Sequence, residues 1–335
     1  MERLRYIDLF CGIGGFRVAA ENICRERNIE PVCVFSSDID LDSQATYEAN
    51  FGEKPIGDIR AVEAKAIPDH DILFGGFPCQ AFSIIGNRLG FEDTRGTLFF
   101  EIVRILAEKR PSAFVLENVK QLVGHDNGRT LNHIMKTLHH LGYSAQYKVL
   151  NALDYGLPQK RERIYIVGFL EPTPFIWPRG GKPMRSLDEI LETDVADFYY
   201  ASDMIKANRL AKRDKIHTHR TVWHENKGGH ISAYPYSCAL RAGASYNYLL
   251  VDGERRLTER EMLRLQGFPD AYKIVCGYAA MRKLTGNSVA VPAVEAVIRS
   301  VLNALDSRSA QIPFVMQTSF FETYNELPLS LTTER

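Results

Sequence analysis

Short apolar runs alternate with amphipathic segments over the first half of the chain. The apolar runs that are typical of strands span 4–10, 32–37, 71–75, 113–117 and 163–169. Between them, apolar residues recur at helical spacing over 17–24, 43–50, 98–108 and 130–141. This alternation predicts an α/β fold with a doubly wound, mostly parallel sheet. Ligands bind such sheets beyond the carboxyl ends of the strands, so the residues that directly follow the strands are the first candidates for a site.

The pattern changes after Phe169, where prolines and glycines interrupt regular structure. A polar, basic and loop-rich region continues to about Arg256 and predicts a second, smaller domain. A helix is expected over 258–266, with Thr258 as its N-cap and Glu261 as the capping-box partner. Another helix, about 291–305, follows a Gly-Asn-Ser turn at 286–288.

The composition is typical of a soluble, intracellular protein. The chain has 335 residues, 45% of them hydrophobic, which suffices for one large domain and a smaller one. No apolar run approaches the ~20 residues of a membrane span, and the N-terminus lacks the apolar core of a signal peptide. The formal net charge is +0, but residues 200–283 carry 15 Lys plus Arg against 8 Asp plus Glu. This local excess of positive charge favours a polyanionic partner.

A glycine-rich turn, "DLFCGIGGF" at 8–16, ends the first strand and opens the first helix. Its glycines allow close approach of a ligand to the backbone, at a helix start where free N–H groups are available. The turn does not match the dinucleotide pattern Gly-x-Gly-x-x-Gly, because Phe16 and Arg17 stand where the third glycine would fall. A tight turn without any ligand is the alternative interpretation.

Two carboxylates follow later segments of the predicted sheet. Asp38 comes after the second strand, at about the ~20-residue offset where a carboxylate accepts both ribose hydroxyls. Asp58 is a candidate for an adenine amino group, with Ile39 and Ile59 as apolar faces. Together they indicate an adenosine-containing ligand, although each aspartate alone also suits an ordinary turn or cap.

One cysteine stands at the same predicted edge. Cys79, in "GGFPCQAFS", follows the strand at 71–75 and is either a nucleophile or a buried apolar thiol. Glu117, in "ENV", ends the next strand, where partial burial of its carboxyl group would make it a useful acid or hydrogen-bond partner. Arg161 and Arg163, in "QKRERIYIVGF", are two residues apart at a strand start, so alternation directs both to one face. An exposed charge pair is the alternative for these arginines.

Six stretches occur in the order that is found in the cytosine-5 DNA methyltransferases. The chain resembles a small bacterial member of that family, of the restriction-modification type, over about residues 4–170 and 255–300. The stretches are "DLFCGIGGF", "GGFPCQAFS", "ENV", "QKRERIYIVGF", "RRLTEREMLRLQGFPDAY" and "GNSVAVP". The resemblance implies a Rossmann-like methyltransferase fold, with residues 1–172 as the catalytic domain and 173–284 as a target-recognition domain. Residues 285–335 would pack back on the catalytic domain.

The resemblance also implies a covalent mechanism. Cys79 is similar to the family's nucleophile, which adds to carbon 6 of cytosine and makes carbon 5 nucleophilic. Glu117 matches the glutamate that holds the ring nitrogen and the exocyclic amine. Arg163, and with it Arg161, resembles the cationic support of the thiolate and the base.

S-adenosylmethionine is the implied cofactor, with S-adenosylhomocysteine as its product. The resemblance places Phe10, Gly12, Gly14 and Gly15 around its methionine part. The ribose and adenine positions, together with those that close the pocket, would be Asp38, Ile39, Asp58, Ile59, Pro78, Asn287 and Ser288.

Double-stranded DNA is the implied substrate, and the target base must be rotated out of the duplex. Residues 80–99 have the composition of a lid, although a static loop is the alternative. A segment at 238–250 resembles the one in which the family carries a Thr-Leu or Thr-Val pair, here Ala239-Leu240. Arg241 is a candidate for a guanine edge, although a solvated arginine is the simpler interpretation. The DNA-contacting residues expected in both segments are Gln80, Ser83, Arg88, Arg95 and Arg241.

No metal is expected. The six cysteines include no Cys-x-x-Cys pair, and the histidines at 217, 219, 224 and 230 lie among basic residues without a nearby cysteine. We further expect a monomer on DNA in the bacterial cytoplasm, associated with the nucleoid, and a cognate restriction endonuclease as a possible partner.

Three other functions stay open on the sequence alone. A transfer-RNA cytosine methyltransferase would keep the chemistry and change the polymer. A catalytically inactive DNA-binding relative would leave Cys79, Glu117 and Arg163 without a role. A nicotinamide oxidoreductase would suit the fold, but not the missing third glycine.

Overall fold

The computed structural model describes residues 1–78, 98–212 and 219–310. Its main sheet has six strands in the order β2-β1-β3-β4-β7-β5. In chain order these strands are β1 (Arg3–Leu9), β2 (Glu30–Ser37), β3 (Ile72–Gly76), β4 (Ala113–Val119), β5 (Ser144–Asn151) and β7 (Glu162–Phe169). The helices between them are α1 (Gly15–Glu26), α2 (Leu41–Phe51), α3 (Leu98–Lys109) and α4 (Arg129–His140). The predicted doubly wound α/β fold is confirmed.

The sheet is mixed at one edge. β2, β1, β3 and β4 are parallel neighbours, whereas β7 runs antiparallel to both β4 and β5. The sequence did not predict β5, because this strand is largely half-buried or exposed and its sequence "SAQYKVLN" lacks an apolar run. The antiparallel direction of β7 brings its amino end to the edge where β1 to β4 have their carboxyl ends. Residues before β7 can therefore join the site.

Two buried clusters cover the two faces of the sheet. On one face, α1 packs with α8 (Val291–Ala310), which follows the chain's return from the second unit. On the other face, α3 and α4 pack on the alternate residues of the same strands. Within the described residues, 278–308 is long and apolar enough to cross a membrane, with mean hydropathy 1.4 over its most apolar part. Length and composition alone are weak evidence for a membrane span. The most apolar part of this segment is 67% buried, and α8 contributes to the core, as in a core helix.

A second unit follows β7. It contains α5 (Asp203–Ala211) and a three-stranded antiparallel sheet of β8 (Val222–Glu225), β9 (Ile231–Tyr234) and β11 (Leu249–Val251). Its own apolar cluster includes Leu240, Leu249 and Leu257. The short strands β6 (Gln159–Lys160) and β10 (Ser237–Cys238) pair in parallel and join this unit to the first.

The helix α6 (Glu259–Gln266) lies between the two units. Thr258 caps it and forms the predicted capping box with Glu261. Met262 and Leu265 pack in the cluster of the second unit, while Leu263 packs in the cluster of β1 and α1. The division of the chain at 172 and 284 stays a prediction, because α6 contributes to both clusters.

Helix α7 (Tyr278–Asn287) contacts the second unit through its last turn. A Cβ added at Gly286 would lie 2.4 Å from Ala242 N and 2.7 Å from the Arg241 carbonyl carbon. The backbone of the helix therefore touches the backbone of the loop before β11. Only glycine allows this approach, since neither backbone can move aside as a flexible side chain would.

We predict that Gly286→Ala destabilises the protein despite better helix propensity. Alanine favours a helix over glycine by ~1 kcal/mol, but overpacking against backbone costs roughly 1–3 kcal/mol. The melting temperature should therefore fall. Gly277→Ala is the matched control, because a Cβ at Gly277, the N-cap of the same helix, meets no described atom within 4 Å. Equal melting temperatures for the two variants would contradict the proposed contact.

Candidate active site

A cleft of about 910 Å³ opens at the edge where β1 to β4 end and β7 begins. It collects residues that are far apart in the sequence. The predicted site residues that line it are Phe10, Gly12, Asp38, Ile39, Asp58, Ile59, Pro78, Glu117, Arg161, Arg163 and Asn287. The volume is near the upper end of ordinary ligand pockets, which run to ~1,000 Å³. The cleft is thus large enough for a cofactor and part of a second ligand.

Glu117 and Arg163 form an ion pair in this cleft. Their Oε1 and Nε atoms are 3.0 Å apart, and both side chains are largely buried. In the antiparallel register Val119 faces Arg163 and Glu117 faces Tyr165, so Glu117 and Arg163 are diagonal neighbours on one face. Burial raises the pKa of the Glu117 carboxyl group, and the attraction of Arg163 and Arg161 opposes this effect only in part. Compared with an exposed glutamate, a raised pKa favours the protonated form of this carboxyl group, which lines the cleft.

Arg161 has different contacts from those of Arg163. Its guanidinium donates to the carbonyl of Leu240 at 3.0 Å, to that of Gly286 at 3.1 Å, and to that of Ser288. Burial, and next the nearby Arg163, lower the pKa of Arg161 to about 9, which still leaves it charged at neutral pH. The sequence predicts a direct catalytic role for this residue, whereas its observed hydrogen bonds join three backbone segments around the cleft. We therefore describe Arg161 as a positioning residue.

The glycine-rich turn after β1 forms one wall of the cleft. Phe10 and Gly12 have positive φ angles of 56° and 53°, and a Cβ at Gly12 would meet no described atom within 4 Å. The Gly12 N–H donates to Asp38 Oδ2 at 2.8 Å, and the Asp40 N–H donates to Asp38 Oδ1 at 2.9 Å. These bonds fix the Asp38 carboxylate, while its burial raises its pKa. The open space at Gly12 leaves room for a ligand against the backbone.

The second wall of the cleft combines apolar side chains with a carboxylate. Ile39 is 66% exposed although it is a large apolar side chain, whereas Ile59 is 2% exposed. The carboxylate of Asp58 is held by Arg60, whose guanidinium bonds to both of its oxygens. Side-chain and backbone hydrogen bonds from Arg60 lower the pKa of Asp58. An exposed isoleucine between fixed carboxylates suits a flat, neutral ring with hydrogen-bond donors.

Three predicted cofactor contacts, Gly14, Gly15 and Ser288, pack against neighbouring segments. A Cβ at Gly14 would lie 2.4 Å from the ring of Phe51, and one at Gly15 would lie 2.6 Å from Val289 Cγ2. Ser288 is buried, and its hydroxyl group bonds to the neighbouring Val289 carbonyl at 3.4 Å. None of these three is among the described residues that line the cleft. Their small size lets α1 approach α2 and the turn before α8, which shapes the cleft indirectly.

The predicted nucleophile and most predicted DNA contacts lie outside the described residues. These are Cys79, Gln80, Ser83, Arg88 and Arg95. Arg241 is described, and it is exposed beside the cleft, whose lining includes its neighbour Ala242.

The chain immediately before Cys79 is described and is anchored to β4. Asn118 Nδ2 donates to the Phe77 carbonyl at 2.9 Å, and both residues are buried. The Asn118 side-chain oxygen accepts from the Val119 N–H at 2.8 Å. Pro78 lines the cleft directly after this contact. The hydrogen bond thus fixes Phe77, two positions before Cys79, beside the strand that carries Glu117.

Comparison with known proteins agrees with this geometry. The family model for the C-5 cytosine-specific DNA methylases matches residues 4–303. The chain belongs to this family. It is 57% identical over 293 residues to the type II methyltransferase M.NgoBI of Neisseria gonorrhoeae, covering 87% of this chain and 90% of the relative. It is 51% identical over 325 residues to the type II methyltransferase M.HaeII of Haemophilus aegyptius, covering 96% and 100%.

Solved structures share the methylase's fold. A methyltransferase of Entamoeba histolytica, EhMeth, superposes with a TM-score of 0.70 at 17% identity, over 91% of this chain and 99% of its own. The S. pombe Dnmt2 methyltransferase superposes with a TM-score of 0.66 at 20% identity, over 91% and 100%. At such identities the likeness establishes the architecture alone.

The family implies S-adenosylmethionine as methyl donor, and the cleft of this methylase fits such a molecule. The fitting features are the open space at Gly12, the fixed carboxylate of Asp38 and the exposed face of Ile39. The acidic groups on the cofactor side would repel a phosphate, whereas they suit ribose hydroxyls, an adenine amine and a cationic sulfonium. Among the described residues, no group of three or more His, Cys, Asp or Glu is placed to hold a metal ion.

Asp8 is a buried acidic group that the sequence analysis did not single out. It is 0% exposed, and neither carboxylate oxygen has a hydrogen-bond partner among the described residues. Burial raises its pKa to about 8; the charge of Arg17 opposes this effect in part, and the neighbouring Asp38 adds a smaller increase. The only sequence feature that points to Asp8 is its place at the start of the glycine-rich stretch "DLFCGIGGF". Asn118 in "ENV" and Gln159 in "QKRERIYIVGF" also belong to motifs, but the sequence alone indicates no role for either.

We predict that Asp8→Asn flattens the pH dependence of stability. Because the pKa of Asp8 is raised on folding from 3.8 to about 8, the folded state binds a proton that the unfolded state has lost in this window. The contribution of Asp8 to the free energy of unfolding therefore falls as pH rises from about 4 to about 8. Urea unfolding of the ligand-free protein should show a smaller decline for Asp8→Asn than for wild type. Exposed Asp69, changed to Asn, is the control, and parallel profiles for all three proteins would contradict the prediction.

Proposed function

We propose that this methylase transfers a methyl group to carbon 5 of one cytosine within a short, specific double-stranded DNA sequence, as a type II enzyme of a restriction-modification system. Membership of the cytosine-5 DNA methylase family makes it a DNA cytosine methyltransferase. The observation that supports the specific reaction is the buried Glu117–Arg163 pair, which shares one cleft with an adenosine-type pocket. The names of the curated relatives support the type II assignment.

The mechanism that we propose begins with Cys79. Its thiolate adds to carbon 6 of the cytosine, and the electron pair of the 5,6 double bond moves to carbon 5. Glu117 donates its proton to ring nitrogen 3 and accepts from the exocyclic amine, which the raised pKa of Glu117 favours. Arg163 offsets the negative charge that develops on the base and keeps Glu117 in place. Once carbon 5 carries the methyl group, its proton passes to solvent water and the electron pair of that C–H bond re-forms the 5,6 double bond. The carbon 6 to sulfur bond then breaks, the Cys79 thiolate leaves, and ring nitrogen 3 returns its proton to Glu117.

S-adenosylmethionine, when bound, supplies the methyl group that carbon 5 acquires. Asp38 would hold its ribose hydroxyls, while Ile39 and Ile59 would pack on the adenine. Asp58 would accept from the adenine amine, and Phe10 and Gly12 would surround the methionine part. Asn287 and Pro78 would close the pocket. Gly14, Gly15 and Ser288 stay proposed cofactor positions from the resemblance, and their packing also supports the wall of this pocket.

DNA recognition would fall to the second unit, which carries most of the basic excess in the sequence. The target cytosine must leave the duplex, because its ring faces are otherwise hidden in the base stack. Gln80, Ser83, Arg88 and Arg95 stay candidates for DNA contacts from the sequence. We propose that the enzyme acts as a monomer in the bacterial cytoplasm and protects host DNA from a cognate endonuclease.

The deciding experiment measures methyl transfer from labelled S-adenosylmethionine to unmethylated duplex DNA of varied sequence. Base-resolution mapping of methylated cytosines, with transfer RNA as a parallel substrate, identifies the polymer and the motif. We expect label at carbon 5 in a recurring short DNA motif, and none with Cys79→Ala. Label in RNA alone would replace DNA as the substrate, and undiminished turnover of Cys79→Ala would remove the covalent step.

We predict that Glu117→Gln slows single-turnover methyl transfer by about 100-fold or more, within the range for loss of an acid-base group. An amide cannot give up a proton to ring nitrogen 3, whereas cofactor and DNA binding should persist. Glu162→Gln is the control, because Glu162 is a nearby glutamate at the start of β7 whose ion pair with Lys120 is more exposed. Similar rate constants for the two variants would exclude Glu117 from the reaction.

A further inference from the structure

The loop that follows β10 is held against the segment before β7 by hydrogen bonds to its backbone. The Leu240 N–H donates to Gln159 Oε1 at 3.1 Å, and the Leu240 carbonyl accepts from Arg161 at 3.0 Å. Gln159 is itself buried and donates to the Leu265 carbonyl at 2.8 Å. Residue 240 is thus held on both of its backbone polar groups by two side chains of the "QKRER" segment.

The next two residues are held from other directions. The Arg241 N–H donates to the Tyr248 hydroxyl at 2.9 Å, and Ala242 touches the backbone of Gly286. Farther along, Arg282 donates to the Ala244 carbonyl and lies 4.2 Å from the centre of the Tyr246 ring. The backbone of the segment 239–246, which we call the recognition loop, is therefore held at several positions by the rest of the protein.

Arg241 is held by uncharged groups. Its guanidinium lies over the Tyr248 ring, 4.9 Å from the ring centre, and one nitrogen is 3.4 Å from His224 Nε2. Burial, and next the charge of Arg241, lower the pKa of His224, so the imidazole is neutral at neutral pH and can accept this bond. Within the described residues no carboxylate pairs with Arg241, whereas Arg209 and Arg255 of the same unit are paired with acids.

Position and chemistry together define what Arg241 can contact. Its neighbour Ala242 lines the cleft that contains Glu117 and Arg163, so Arg241 lies one residue from the catalytic space. Arginine has five N–H donors in a planar fork, of which the His224 contact uses one. A fork of this kind bonds to O6 and N7 of guanine in the major groove, and it is already oriented by the Tyr248 ring. Orientation before binding reduces the entropy cost of the contact.

We propose that Arg241 reads a guanine in a base pair adjacent to the methylated cytosine, and that the Tyr248 ring and the His224 imidazole orient it for this contact. The inference rests on the proposed function, since it needs a cytosine in the Glu117 cleft. It names one base of the recognition sequence and assigns it to one side chain. A phosphate contact is the competing role, in which Arg241 would strengthen DNA binding without reading sequence.

The test compares wild type with Arg241→Gln, Arg241→Lys and the control Arg185→Gln. Arg185 is an exposed arginine elsewhere in the second unit, where it pairs with Glu189 at 3.0 Å. Each protein methylates a pool of duplexes in which all positions around a cytosine are randomised, and the methylated products are sequenced. The affinity of each protein for its preferred duplex is measured at several salt concentrations.

We expect wild type and Arg185→Gln to require guanine next to the methylated cytosine. Arg241→Gln should lose that preference by roughly 5- to 150-fold while the other positions keep theirs, as for the loss of one bidentate base contact. Arg241→Lys should restore only part of it, because an ammonium lacks the planar fork. His224→Ala, which leaves Arg241 present, should weaken the same preference to a smaller extent.

Two outcomes would overturn the inference. An unchanged motif for Arg241→Gln, with weaker binding to every sequence and a salt slope reduced by about one, would make Arg241 a phosphate contact. That result would leave the proposed methyl transfer intact. Absence of DNA methylation by wild type would instead overturn the proposed function, and the inference with it.

Discussion

The buried guanidinium of Arg161 is the contact on which the site's geometry depends. Its hydrogen bonds reach the recognition loop at Leu240 and both sides of the turn between α7 and α8, at Gly286 and Ser288. A charged group that is 2% exposed would be costly without such partners, and three carbonyl oxygens satisfy most of its donors. Arg161 directly precedes β7, which carries Arg163. The segment that brings Arg163 to the cleft therefore also fixes the recognition loop of the second unit.

The sequence predicted the positions at strand ends best. The doubly wound pattern directs the residues after β1, β2, β3 and β4 to one edge, and Phe10, Asp38, Pro78 and Glu117 are found there. Contacts between distant segments could not be predicted in this way. Alternation directs Arg161 and Arg163 to one face, but the short pairing of β6 with β10 brings Arg161 to the Leu240 carbonyl of the second unit. Likewise, the need for glycine at 14 and 15 comes from Phe51 and Val289, which no local pattern reveals.

Electrostatics give the two ends of the cleft different characters. Asp38 and Asp58 make the cofactor end acidic, whereas Arg161 and Arg163 make the catalytic end basic apart from Glu117. A cationic, adenosine-containing molecule suits the first end, and an electron-rich intermediate on a base suits the second. Asp8 adds a buried carboxyl group behind the first end, where its raised pKa leaves much of it uncharged at neutral pH. One cleft thus has aspartates at one end and arginines at the other.

The contact of Gly286 with Ala242 limits how close the recognition loop can come to the cleft. Because two peptide backbones are in contact here, the closest approach of the recognition loop to the cleft is limited by main-chain atoms, which every residue type has. Side chains at the loop's exposed positions, such as 241 and 245, can then be exchanged while the loop keeps its distance from the reacting base. Under the proposed function, a change at such a position would alter a contact to DNA while Gly286 keeps the loop at the same distance from Glu117 and Arg163.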